Sequence, residues 1–574
     1  MPATSPLPAA PARLRWMGPD VLPVEVTAPL VGPGGPFEIV VDDVLGAPTE
    51  VFARRPPHLR ALFDEALARD PDRTLLVAGD RTWTMAEAAA DIDAVAGLLV
   101  DRYGIGPGDR VGIVAANSPE FGLVMWATLT VGAVVVGLNG WWTGDELAHG
   151  IALAGPALLT GDDRRLERLP DGAVGPGLPV VRLDDLVAEA RAHGAAPPPP
   201  APIGEDDPAV ILFTSGTTGR PKGATLSHRN IAHFGRVTGL GAAIGAALAP
   251  APPPGAPAFS PASILSSPMF HVSGMLGILM SGPALGVKLV FAPPGRWDPA
   301  RHLDLTVEHR ISSWSGVPTQ WWRLLRHPDF ESYDLSSLRS VGGGGAPFPP
   351  ALVRLFGEKL PGVALGNGYG MSETVGLGTL ASGPVVLAAP DSVGPAQPTT
   401  EVEVRDPDGR VVAEGEVGEI HLRSASVFLG YWDDPGATAA CLDADRWYRT
   451  GDFGRVEGGL LHLESRMRDL IIRGGENIYP IEIENRLVAH PDVDDAAVIG
   501  VDHEELGQEV KAFIVPREGA TLTAAEVQRW VAEGLAAFKV PAHVELRAAL
   551  PYTDTGKVLK HELERAERER RQPM

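Results

Sequence analysis

Short runs of apolar, often β-branched residues recur along the chain, separated by segments whose apolar positions repeat every three or four residues. The first pattern predicts buried strands and the second amphipathic helices. Thr74–Val77, Val111–Val114 and Val210–Phe213 read as strands, Ala86–Val100 as a helix with one apolar face, and Gly104–Asp109 as a turn. Phe121–Thr143 carries no charged residue, over roughly the twenty positions that would span a bilayer. Thr128, Thr130, Gly132 and Gly137 interrupt it and Asn139-Gly140 breaks it, which predicts a buried helix and then a buried strand at Ala133–Leu138. Val237–Val287 is also uncharged, but six prolines from Pro250 to Pro261 exclude a single span. Strands alternating with helices predict an α/β domain of layered sheets and helices.

Past Arg473 the texture becomes that of a small αβ unit. Thr523-Ala-Ala-Glu526 has the form of a capping box, and Val527, Trp530, Val531 and Leu535 share one face of the helix it opens. His561–Arg571 reads as a charged helix with a solvated face, and Ala195–Pro202 as a proline-alanine linker.

A length of 574 residues calls for at least two units with cores of their own. The formal charge of −23 argues against a nucleic-acid binder, which needs a basic face, but a local loop can still hold phosphate. Cys441 is the only cysteine, so no intrachain disulfide can form and a reducing cytoplasm is expected. Met1–Ala12 lacks the basic start and apolar core of a secretory signal, and Gln572-Pro573-Met574 is not a peroxisomal address. No transmembrane segment is expected.

The stretch with the most chemistry is AVILFTSGTTGRPKGATLSHRN, Ala209–Asn230. A strand breaks into Thr214-Ser215-Gly216-Thr217-Thr218-Gly219, followed by Lys222 and a helix start with Ser227 as its cap. Glycine allows close backbone approach, successive N–H groups can cup an anion, hydroxyls add donors and Lys222 adds a fixed charge. These features suit a polyphosphate. The loop is not a Walker A loop, because Pro221 precedes Lys222 and Gly223 follows it.

TSGTTGRPKG resembles the phosphate loop of the adenylate-forming superfamily, which includes acyl-CoA synthetases, aryl-CoA ligases, luciferases and peptide-synthetase adenylation domains. Further segments match in family order from about Leu59 to Leu563. LSSPMFHVSGM contains His271 and Val272, a setting that would suit a core histidine; the resemblance places His271 beside the carboxylate being activated. WSGVPTQ, with Ser315, reads as a strand and turn, which borders the acyl pocket in the resemblance. VGGGGAP presents Gly344, Gly345, Ala346 and Pro347, backbone open to a flat ring or acyl chain. In NGYGMSET the resemblance assigns Asn367, Tyr369, Gly370, Met371, Ser372 and Thr374 to the nucleotide, with Tyr369 stacked on adenine, and Glu373 to Mg2+. Magnesium takes hard oxygen ligands, often one carboxylate plus substrate phosphates. In YRTGD, Asp452 matches the aspartate that accepts from both ribose hydroxyls, a role that suits an acceptor-only carboxylate. In LESRMRD, Arg466 keeps the nucleotide-facing arginine although Ser465 departs from the usual glycine, and Arg468 takes the hinge position, usually Asp or Lys. PYTDTGK presents Lys557, which the resemblance brings to the α-phosphate.

Residues 1–55 read as a proline-rich leader by composition, and the resemblance implies a large N-terminal adenylate-forming domain over 56–466 and a small mobile α+β lid over 467–574. It implies that a carboxylic acid attacks the α-phosphate of Mg-ATP, giving an acyl-adenylate, and that coenzyme A then displaces AMP. Lys557, Thr218, Glu373 and His271 form its catalytic set. A fatty or other apolar acid is the expected substrate. The alternative is adenylation of an aryl or unusual acid, nitrite included, with transfer to a separate carrier protein or a non-thiol acceptor. Against a third possibility, a nucleotide binder without catalysis, stands the set Lys222, Glu373, Asp452, Arg466 and Lys557.

Overall fold

A computed structural model describes residues 11–16, 22–194, 196–214, 221–248, 259–293, 295, 297–344, 348, 350–466, 469–473, 476–503, 506–552 and 558–571. Within these residues the strands form three large sheets, a smaller C-terminal sheet and a hairpin. The seven-stranded sheet runs Gly430–Tyr431, Lys222–Ser227, Pro208–Thr214, Val134–Gly137, Arg110–Val114, Leu158–Gly161 and Val180–Arg182. Its central strands are parallel and buried on both faces, which is why they are continuous apolar runs rather than alternating ones. Helices Met85–Tyr103 and Pro119–Thr130 help cover it. The first starts at a Thr84/Glu87 capping box, and Ser118 caps the second by accepting from Phe121 N. Phe121–Thr143 is thus a buried helix and strand, as its sequence predicts.

The eight-stranded sheet runs Thr379–Ser382, Ala364–Tyr369, Ser340–Gly344, Ser313–Ser315, Ala262–Ile264, Lys288–Phe291, Thr74–Ala78 and Arg81–Thr84. Its six inner strands are parallel. WSGVPTQ is a strand and turn as expected, but its proline also opens a helix, Pro318–Leu325. The glycine run has a packing cause beyond openness to a ligand: a Cβ at Gly343 would sit 2.0 Å from the Gly316 carbonyl oxygen.

The six-stranded sheet is built from Glu401–Arg405, Gly418–Arg423, Tyr448–Glu457, Leu460–Arg466 and Ser392–Gly394, with Arg13–Leu14 added at one edge. That added strand is held by Arg13–Glu403 and Arg15–Glu401 ion pairs, at 3.0 and 2.7 Å, and by burial of Ala12 and Leu14. Helix Val24–Val31 packs on helix His228–Leu248, and hairpin Ile39–Val44/Ala47–Phe52 buries Phe52 near it. The described part of the first 55 residues is therefore built into the large domain.

Helix His228–Leu248 is long and apolar enough to cross a membrane by length and composition alone. Its first half is buried in the core and carries Arg229 and Arg236.

The small C-terminal sheet joins Glu476–Ile478, Ile471–Arg473, Gly507–Pro516 and Val493–His503, with His543–Leu546 beside Gly507–Pro516. Thr523 and Glu526 form the expected box on helix Ala524–Ala532. The last helix, Lys560–Arg571, corrects the expectation of a purely solvated face. Leu563 is buried in an apolar cluster with Phe513 and Ile499, and Glu567 pairs with the buried Lys511 at 2.6 Å.

Candidate active site

Parallel strands end on one side of the eight-stranded sheet at Ile264, Ser315, Gly344 and Tyr369. Thr214 ends its strand in the seven-stranded sheet. Crevices outside the carboxyl ends of parallel strands are where open α/β sheets bind ligands. Two contacts bring these ends together. The Thr214 hydroxyl donates to Glu373 Oε1 at 3.4 Å. Trp141, just past strand Val134–Gly137, packs 4.7 Å from Phe270 and 6.1 Å from His271, ring centre to ring centre.

Thr214 faces Lys222 across an antiparallel ladder, so the two ends of the expected phosphate loop are clamped together. The lysine opens a strand, Lys222–Ser227, that the sequence does not announce, and the Ser227 hydroxyl then accepts from Asn230 N to cap the helix as expected. Ser215, Gly216, Thr217, Thr218 and Gly219 lie outside the described residues, as do Gly345, Ala346, Pro347, Arg468 and Lys557. Arg466 is described through its backbone, which pairs with Asp452.

Glu373 sits in the turn Ser372–Thr374 after strand Ala364–Tyr369 and is only 6% exposed. Its Oε1 accepts from the Tyr431 hydroxyl at 2.9 Å, and its carbonyl accepts from Phe428 N at 2.9 Å. The turn folds back so closely that a Cβ on Gly370 would lie 2.4 Å from the Gly376 carbonyl carbon. The Thr374 side chain is buried and exchanges hydrogen bonds with the Met371 backbone, bracing the turn. Met371 and Ser372 are half-buried beside it.

Tyr369 donates from its hydroxyl to Asp452 Oδ2 at 2.9 Å, and both residues are buried. Asn367 is buried on the same strand, and its Oδ1 has no partner among the described residues. His271 precedes helix Val272–Leu276 and is half-buried against Phe270 at 4.9 Å. It is thus not sealed in the core. Ser315 is exposed, and its carbonyl accepts from Ser266 Oγ at 3.2 Å, tying the His271 segment to the strand end. Gly344 pairs with Gly368.

Tyr431 is the site residue that sequence reasoning misses. Its strand pairs with Lys222–Ser227, and the Lys222 ammonium lies 5.2 Å from its ring centre. Burial first, and then the Glu373 carboxylate, push its phenol far above the usual range, so it remains a donor. Burial likewise pushes the Cys441 thiol up to about 11, which keeps it protonated and unsuited to nucleophilic work.

The profile of the AMP-binding enzyme family matches residues 63–432, and that of the AMP-binding enzyme C-terminal domain matches 482–557. The chain is 34% identical over 502 residues to a feruloyl-CoA synthase of Amycolatopsis sp, covering 86% of this chain and 96% of that protein. It is 32% identical over 518 residues to the mitochondrial medium-chain acyl-CoA ligase ACSF2 of Macaca fascicularis, covering 84% and 82%. Among solved structures it is similar to ATP-bound MatB from Rhodopseudomonas palustris, with a TM-score of 0.78 and 31% identity, over 89% of this chain and 99% of that one.

Proposed function

We propose that this chain, which belongs to the AMP-binding enzyme family, activates an apolar monocarboxylic acid with ATP and passes the acyl group to coenzyme A. It is an AMP-forming acid–CoA ligase. The observation that carries the reading is the joining of Thr214, Glu373, Tyr369 and Asp452 where strand ends of the seven- and eight-stranded sheets meet strand Tyr448–Glu457 of the six-stranded sheet.

Each residue has work that suits its chemistry. The loop from Thr214 to Lys222 takes the β- and γ-phosphates and offsets charge on the departing pyrophosphate. Asp452, oriented by Tyr369, accepts from the ribose hydroxyls, with Arg466 beside it. Asn367 offers a buried acceptor to the adenine amine. Lys557 holds the incoming carboxylate against the α-phosphate, and Arg468 is the pivot about which the lid, residues 467–574, turns between half-reactions. A single buried carboxylate fits Mg2+, which is held mainly through substrate phosphates, and Glu373 is the residue that would hold it. When bound, the ion would neutralise phosphate charge.

The acid enters beside His271, Val272, Ser315, Gly344 and Gly370. Leu265–Leu276, the segment that carries His271 and Val272, contains no Asp, Glu, Lys or Arg, which favours an acid with one carboxylate and an apolar body over a diacid. Fatty acids come first and aryl acids second, in line with the medium-chain and feruloyl substrates named for two relatives. A single cysteine suits a cytoplasmic enzyme. The test is ATP–pyrophosphate exchange across a panel of acids, followed by thioester assay with coenzyme A. Exchange is expected with apolar monoacids, and the same acids should yield thioesters. Exchange with diacids alone, or adenylate without thioester, would overturn the reading.

A further inference from the structure

We infer that Tyr431 is a positioning residue for the metal: its hydroxyl orients the Glu373 carboxylate. This rests on the assignment of Glu373 to Mg2+. The hydroxyl donates to Oε1 at 2.9 Å, a shorter bond than the 3.4 Å one from Thr214. A buried carboxylate that swings between rotamers is a poor ligand. One whose oxygen is held by a fixed donor presents a defined face to the cation.

The tyrosine is itself held. Its backbone pairs in register with Ala224, on the strand that begins at Lys222. Phe428 meets its ring edge-on at 5.0 Å and also meets Tyr448 edge-on at 5.4 Å. Phe428 N donates to the Glu373 carbonyl, so the segment that carries Tyr431 also anchors the backbone of the residue it orients. Tyr431 N donates to Thr438 Oγ1 at 2.9 Å, which fixes the tyrosine from its other side. The ring faces Lys222, so this one side chain touches both the cation at the end of the phosphate loop and the carboxylate assigned to the metal.

Tyr431→Phe deletes the hydroxyl and keeps the ring against Lys222 and Phe428. The probe is Mn2+ with a non-hydrolysable ATP analogue, followed by electron paramagnetic resonance as protein is titrated in. Nucleotide binding in EDTA, measured by calorimetry, and the unfolding temperature serve as controls. Tyr431→Phe is expected to weaken the Mn2+-dependent complex about tenfold, the low end for loss of an outer-shell partner, with metal-free binding unchanged. In a Glu373→Gln background the same substitution should add nothing. A Tyr431→Phe protein with wild-type Mn2+ affinity, or with equal losses with and without metal, overturns the inference. A wild-type protein that takes up no Mn2+ with the nucleotide overturns instead the assignment of Glu373. If Tyr431→Phe fails to fold, Thr214→Val tests the weaker donor of the same carboxylate and should shift Mn2+ affinity by a smaller factor; no shift there overturns the inference.

Discussion

Glu373 shows how a residue's setting decides its chemistry. A glutamate in a turn is ordinarily a solvated charge, yet here it is almost fully buried with hydroxyl donors on one oxygen. Glu373→Gln keeps the shape and removes the charge, so adenylation should fall about 100-fold and the magnesium titration should move to higher concentration. Near-native turnover with an unchanged titration would remove Glu373 from the metal. The motif NGYGMSET makes Tyr369, Glu373 and their neighbours legible, because the spacing is local and the residue types fit a nucleotide. Tyr431 is not legible in the same way. It lies 58 residues beyond Glu373, and only strand pairing with Lys222–Ser227 brings it back. Tyr369→Phe probes the other pair: loss of the donor to Asp452 should raise KM for ATP about tenfold or more while kcat changes little, since a hydrogen bond to a charged group is worth about 1.5–3 kcal/mol. An unchanged KM would mean that Asp452 is held without it.

Among elements, continuous apolar runs are the easiest to read, and caps come next. Pro119–Thr130 followed by Val134–Gly137, and the box at Thr523, stand where the sequence puts them. Strand Lys222–Ser227 is hidden because KGATLS has no alternation and leaves its burial to its neighbours. Helix Lys560–Arg571 reads as wholly solvated because one leucine and one buried glutamate do the docking in a segment that is otherwise mostly charged. The glycine run is legible as special but not for its full reason. Gly343→Ala would place a methyl 2.0 Å from a backbone oxygen at the end of the adjacent strand, and backbone cannot give way as a side chain can. The strand must shift, at a cost of about 1–3 kcal/mol or more. Thermal unfolding should show the loss, and acid KM should rise with it, because Gly344 follows on the same strand. A protein of unchanged stability would mean that Ser313–Ser315 and Ser340–Gly344 can part freely.

At the scale of the molecule, two properties belong to no single element. The first is acid sensitivity. His228, His233 and His302 are held by burial well below the ordinary imidazole value, to about 4, about 3 and about 4. Unfolded, each titrates near 6.5. The depressed values mean that the folded state refuses protons which the unfolded state accepts. Stability is therefore full above about pH 6.5 and is lost as pH falls toward 4, by up to about 1.4 kcal/mol per pH unit for each group. Tm should drop between pH 7 and 5, and a flat profile would show that these rings are not sealed. The second property is the seating of the small domain. Arg326, at the end of helix Pro318–Leu325, reaches Asp494 at 2.6 Å and stacks 4.1 Å from the Trp322 ring centre; Trp322 packs on the apolar core of the C-terminal sheet. An exposed ion pair is worth about 0–1 kcal/mol, so this contact biases one seating without locking it. The lid motion proposed above would need such a shallow hold. Lys557 and Arg326 should then fail differently. On the role proposed for Lys557, Lys557→Ala should lower adenylation by about 100-fold or more. Thioester formation from a chemically prepared acyl-adenylate should stay near normal. Arg326→Ala should change the two half-reactions by only a few-fold and in opposite directions, as the seating equilibrium moves. Parallel loss of both halves in Lys557→Ala would refute the two-seat lid, and parallel small losses in Arg326→Ala would show that this contact serves stability alone.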